Sequence, residues 1–124
     1  MECPKCHAGM EKVLFQSIEV DRCTQCGGIW FEPLEKDKLK SLKRSEAIDT
    51  GDPATGQTYN KVDHIDCPVC GVQMLRMVDA RQPHIWYESC STCYGVFFDA
   101  GEFTDYKTET LTDFFKDLMT PERA

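Results

Sequence analysis

The chain has 124 residues, with 21 acidic and 14 basic side chains and a formal net charge of −7. That length suits one ordinary domain or two very small ones, and no apolar run reaches the length of a membrane span. The acidic balance argues against a broad phosphate-gripping surface, which would be basic. The N-terminal MECPKCHAGM lacks the charged-then-apolar layout of a signal peptide, so the expected compartment is the cytoplasm.

The first motif is CPKC, with two residues between Cys3 and Cys6 and His7 just after. A β-prone run follows, predicting strands over Met10–Phe15 and Ile18–Arg22; Ile18-Glu19-Val20-Asp21 alternates as a half-buried strand does. Next comes CTQCGGIWFEPLE, with Cys23, Cys26 and a glycine, Gly27, that lets the backbone turn its amides toward sulfur. Ile29–Phe31 reads as a third short strand whose aromatics, Trp30 and Phe31, anchor a small core. Glu32 and Glu35 bracket Pro33 as an N-cap and its capping-box partner, with Pro33 at the first helical position. The helix is expected over Leu34–Arg44, with Leu34, Leu39 and Leu42 on one face and Lys36, Lys40, Lys43 and Arg44 on the other. That basic face is the candidate nucleic-acid surface in an alternative reading.

Residues 49–64 carry two glycines, an Asp-Pro and a Thr/Asp/Asn bias, and read as a linker or long loop. The pattern then repeats. CPVC brings Cys67 and Cys70; strands are expected near Leu75–Val78 and Ile85–Glu88; CSTCYGVFFDAGE brings Cys90, Cys93, the strand Val96–Phe98 and the acidic pair Asp99 and Glu102. Tyr94 stands where Gly27 stands in the first copy, so the fourth turn is expected to bend differently, with Gly95 compensating. Residues 1–48 and 65–107 are therefore two copies of one module. Residues 108–124 belong to neither. There Leu111, Phe114, Phe115, Leu118 and Met119 form an apolar helical stripe after Thr110 as a cap. This stripe either folds back on the second module or contacts a protein partner or a second copy of the chain.

Four CxxC pairs, separated by sixteen residues in the first copy and nineteen in the second, have four-cysteine zinc spacing. Two such turns brought together by a hairpin offer a tetrahedron of thiolates, the geometry and ligand softness zinc prefers. The expected ligand sets are Cys3, Cys6, Cys23, Cys26 and Cys67, Cys70, Cys90, Cys93, holding two Zn2+. Disulfides, rubredoxin-like iron and dithiol redox chemistry are the competing readings, and colour separates iron from zinc. Four protein ligands leave no open position for water or substrate, so structural sites and a non-enzymatic protein are expected. With the count complete, His7, His64 and His84 are expected as surface or packing residues. A module of about 40 residues buries too little to fold alone, whereas a metal supplies on the order of 10 kcal/mol. As independent modules, the first would unfold on loss of Cys26 while the second kept its metal.

The fold expected is a small metal-stabilised α+β protein. It has two tandem zinc ribbons, short antiparallel hairpins between CxxC turns, each followed by a helix, plus the C-terminal amphipathic helix. The motifs CPKC with CTQCGGIWFEPLE, and CPVC with CSTCYGVFFDAGE, resemble the TFIIB-type zinc-ribbon family of small prokaryotic zinc-finger proteins, over roughly residues 1–42 and 65–107. The resemblance implies zinc binding through the eight cysteines and carries a transcription-related label. The function expected is a zinc-binding interaction or adaptor protein, with a transcription-related nucleic-acid-binding regulator as the alternative.

Overall fold

A computed structural model describes residues 1–62, 64–79, 82 and 85–107. The first copy builds β1 (Met10–Phe15), β2 (Ile18–Cys23) and β3 (Ile29–Phe31), then α1 (Glu35–Lys40) and a 3-10 turn, Ser45–Ile48. After α2 (Pro53–Tyr59) the second copy builds β4 (Leu75–Val78), β5 (Trp86–Ser89) and β6 (Val96–Phe98). Residues 102–107 form α3. The expected C-terminal helix lies outside the described residues.

Each copy is a three-stranded antiparallel unit. β1 and β2 meet through a two-residue turn in which Gln16 and Ser17 both take positive φ, as tight hairpins require. The copies do not stand apart. β3 pairs antiparallel with β6, giving one six-stranded sheet in the order β1-β2-β3-β6-β5-β4. Ile29, Trp30 and Phe31 face Phe98, Phe97 and Val96 across this seam, so an approximate twofold axis runs through the Trp30–Phe97 pair. The expectation of independent modules fails here, because the two short strands are each other's neighbours.

Alternation along the seam divides the aromatics between two faces. Phe31 and Phe98 enter one core with Val20, Ile29, Leu39, Ile48, Ile85, Val96, Phe103 and Tyr106. The rings of Phe31 and Phe98 meet edge to face at 5.6 Å, a preferred aromatic geometry. Trp30 and Phe97 enter a second core made with Ile65, Met74 and every cysteine but the exposed Cys70. All four aromatics are completely buried.

The helices depart from their sequence pattern. Leu34 takes φ 73 and stays 69% exposed, so α1 starts one residue later and Pro33 lies outside it. Arg44, at φ 68, precedes the 3-10 turn, and α1 ends at Lys40 rather than Arg44. Glu35 does accept a bond from the Glu32 N–H at 2.8 Å, but no side chain caps α1. In the second copy the cap comes from elsewhere. Asp49 accepts from the N–H groups of Gly101 and Thr104 at 2.9 and 3.0 Å, and from the Thr104 hydroxyl. Asp99 is turned inward instead.

The segment 49–64 thus contributes a cap, and it also contains a helix. Asp52 accepts from Ala54 N–H at 2.9 Å, with Pro53 at the first helical turn, a start its D-P sequence favours. A Cβ on Gly56 would lie 2.0 Å from the Ala100 carbonyl oxygen. Only glycine lets α2 lie this close to the second copy.

Candidate metal centres

Each four-cysteine set comes together as the spacing implies. The sulfurs of Cys3, Cys6, Cys23 and Cys26 lie within 4.8 Å of one another, and so do those of Cys67, Cys70, Cys90 and Cys93. Cys3 and Cys26 sulfurs are 3.7 Å apart, Cys6 and Cys23 3.2 Å, and Cys67 and Cys93 3.7 Å. These separations suit thiolates gathered around one ion, whose metal–sulfur distance is about 2.3 Å for zinc. Among the described residues no histidine or carboxylate joins either set.

The four turns share one construction. Backbone N–H groups two and three residues on point at the first sulfur of each pair: Gln25 and Cys26 at Cys23, Val69 and Cys70 at Cys67, Thr92 and Cys93 at Cys90. Lys5 and Cys6 do the same at Cys3. These amides stabilise thiolate. Sharing a proton with Cys26, helped by the two amides, lowers the Cys3 thiol to about 5; the same sharing raises Cys26. At Cys90 burial opposes ionisation, yet the amides of Cys93 and Thr92 outweigh it and lower the thiol to about 6. Burial pushes Cys93 up to about 12. At Cys3 and Cys90 the turn thus favours the thiolate, the form in which a cysteine ligates a metal.

After each second cysteine the chain turns left-handed: His7 φ 67, Gly27 φ 78, Gly71 φ 78 and Tyr94 φ 63. The fourth turn therefore bends like the others, contrary to expectation, and Tyr94 accepts the strain with its side chain 68% exposed. Gly95 serves packing instead. A Cβ there would lie 2.2 Å from the Trp30 ring, and one on its counterpart Gly28 would lie 2.2 Å from the Phe97 ring. Each copy's aromatic thus lies on the glycine beside the other copy's metal turn.

A buried charge cluster, which the sequence reading missed, crosses the same interface. Lys5 Nζ, fully enclosed, is 2.7 Å from Asp99 Oδ2 and 3.2 Å from Glu88 Oε2, and donates to Tyr59 O at 3.1 Å. One cation faces two buried carboxylates. Burial pushes Glu88 up to about 7 and Asp99 upward, with Lys5 opposing both. A signal existed: CPKC has Lys5 where CPVC has Val69, one of the places where the copies differ in chemistry.

The basic set is split. Lys36 bonds the Tyr106 hydroxyl at 3.3 Å and stands over the Tyr87 and Tyr106 rings, and Lys40 is 3.9 Å from the Tyr106 ring centre. Lys43 and Arg44 are exposed. Lys40, Lys43 and Arg44 line a recess of about 170 Å³ with Glu46 and Lys107. His7 and His64 line a cleft of about 330 Å³ between the two N-terminal turns; His84 and the stripe Leu111, Phe114, Phe115, Leu118 and Met119 lie outside the described residues.

Two closed four-thiol centres, each built from paired turns at the ends of a hairpin, define a duplicated ribbon-type metal protein. The chain belongs to the transcription factor zinc-finger family, whose model matches residues 2–42 and 66–109. No curated protein and no solved structure matches it.

Proposed function

We propose that this is a non-enzymatic, zinc-stabilised interaction protein with one structural Zn2+ in each four-cysteine centre. The observation that carries the reading is the gathering of each set of four sulfurs within 4.8 Å of one another, against the core formed with Trp30 and Phe97. Four thiolates complete a tetrahedron, so the metal is spent on architecture and binding falls to the surface. The family match supports zinc over iron in these four-sulfur sets. The purified protein should be colourless and carry two equivalents of zinc; a red protein with iron would overturn the assignment.

The partner is a protein held by the apolar stripe Leu111, Phe114, Phe115, Leu118 and Met119, or a second copy of the chain engaged the same way. In nuclease-treated extract the full chain should retain a defined partner that the Phe114→Asp/Leu118→Asp variant loses. Identical capture and identical hydrodynamic size for both proteins would remove this contact. The alternative, nucleic-acid binding through Lys36, Lys40, Lys43 and Arg44, is disfavoured by the engagement of Lys36 and Lys40 with tyrosines and by the net charge of −7. It would show as binding that weakens steeply with salt and vanishes when Lys43 and Arg44 are neutralised.

A further inference from the structure

The two copies fold alike, yet their metal centres stand in unlike surroundings. At the first centre three contacts hold the turns from outside. Lys5, between Cys3 and Cys6, is anchored in the second copy by Asp99 and Glu88. Thr24, next to Cys23, clasps the two turns together, its N–H and hydroxyl donating to the Gly9 carbonyl at 3.1 and 2.8 Å. The turn after Cys26 lies under the segment that leads into α2. A Cβ on Gly27 would stand 2.6 Å from the Gly51 Cα and 3.3 Å from the Ala100 Cβ. At the second centre each counterpart faces solvent. Val69 stands for Lys5 and is 55% exposed, and Tyr94, with its side chain in solvent, stands for Gly27. Ser91 stands for Thr24; it is exposed, and among the described residues it makes no bond to Gln73, the counterpart of Gly9. The cysteines follow the same division. Cys26 is buried and its counterpart Cys93 half-buried; Cys6 is half-buried and its counterpart Cys70 exposed.

We infer that the second centre is an exchangeable metal site, which trades its ion with soft ligands and soft cations through Cys70, while the first centre keeps its ion. This rests on the reading of both sets as metal centres and adds that the two differ in duty. A closed tetrahedral ion gives up a thiolate in two ways. Another donor reaches it through an expanded coordination shell, or the turn opens locally. Both routes need access to the sulfur and freedom in its turn, and Cys70 has both. In the exchange the metal–sulfur bond to Cys70 breaks as a bond to the incoming donor forms. The released thiolate takes a proton from water, and no electron is transferred. Cys93, half-buried, follows, and the buried Cys67 and Cys90 leave last. The matching agent is chemically soft, a thiolate ligand or a thiophilic cation, because hard agents compete poorly for sulfur. Val69 and Tyr94 sit on the two turns that hold this ion, so its occupancy sets the surface they present.

The test starts from the full chain loaded with zinc in both centres, to which Cd2+ is added while backbone amides are followed by NMR. The Cys70 and Cys93 amides should pass to the cadmium form at least about tenfold faster than those of Cys6 and Cys26, as expected of the more easily opened site. N-ethylmaleimide, added to the zinc-loaded protein in less than equimolar amount, should label Cys70 ahead of every other cysteine, located by peptide mass. Gly51→Ala, whose added Cβ would stand 2.7 Å from the Ala100 Cβ, should lift the cover and speed exchange at the first centre severalfold, leaving the second unchanged. Failure to load both centres would overturn the metal-centre reading, and this inference with it, before any exchange is measured. With both ions bound, simultaneous exchange or exchange that begins at the first centre would overturn this inference alone. So would first labelling at another cysteine, or a first-centre rate unchanged in Gly51→Ala.

Discussion

Tyr94 and Gly95 show how a residue's local preference and its tertiary duty part company. A left-handed φ costs a non-glycine residue about 1–2 kcal/mol, so tyrosine after the fourth CxxC predicts a different turn. The turn is nevertheless the same, because two amides must face the Cys90 sulfur and the chain has one way to do this. The cysteines themselves were fully legible, since a CxxC pair carries its geometry within four residues. What Gly95 does was not legible, because its neighbour, Trp30, is 65 residues away. Gly95→Ala should cost about 1–3 kcal/mol, the range for forcing atoms into a filled core. Chemical denaturation of the zinc-loaded protein measures it, and a change below about 0.5 kcal/mol would show that the contact relaxes freely.

Strands were easier to read than helix ends. Alternation and β-branched content placed each hairpin within a residue or so, because pairing partners lie close in sequence. The helices lie roughly where the sequence places them, but their caps differ from the expected ones. Leu34 turns left-handed as its counterpart Gly101 does, at φ 73 and 86, which removes it from α1. Asp99, with the right chemistry for a cap, is drawn to Lys5, and Asp49 caps α3 in its stead. A capping rule looks three residues along the chain; this cap reaches across 55. Asp49→Ala should therefore cost about 1–2 kcal/mol and loosen residues 101–104, read as faster amide exchange at Gly101 and Thr104. Asp99→Asn should leave those two amides protected.

At the scale of the molecule, duplication matters more than either copy. The β3–β6 seam, the exchanged Trp30 and Phe97 contacts and the Lys5 cluster join both metal centres to one body. A bound metal is worth on the order of 10 kcal/mol, comparable with the whole stability of a small domain. Loss of one site should therefore weaken the other. In Cys26→Ser the remaining metal should pass to a chelator at a concentration well below that needed for the wild-type protein. Retention of the second metal with wild-type affinity would restore the picture of separate modules.

The sequence alone determined the two ligand sets, the hairpins between them and the duplication, because each depends on spacing within a few dozen residues. Tertiary structure decided that β3 and β6 pair, that Lys5 is buried against the second copy, that Lys36 and Lys40 lie on tyrosines, and that residues 49–64 hold a cap and a helix. All of these arise between the copies. The physical reason is that a three-residue strand such as Ile29–Phe31 exposes unpaired backbone groups whatever its sequence. Only the whole fold shows which other edge satisfies them.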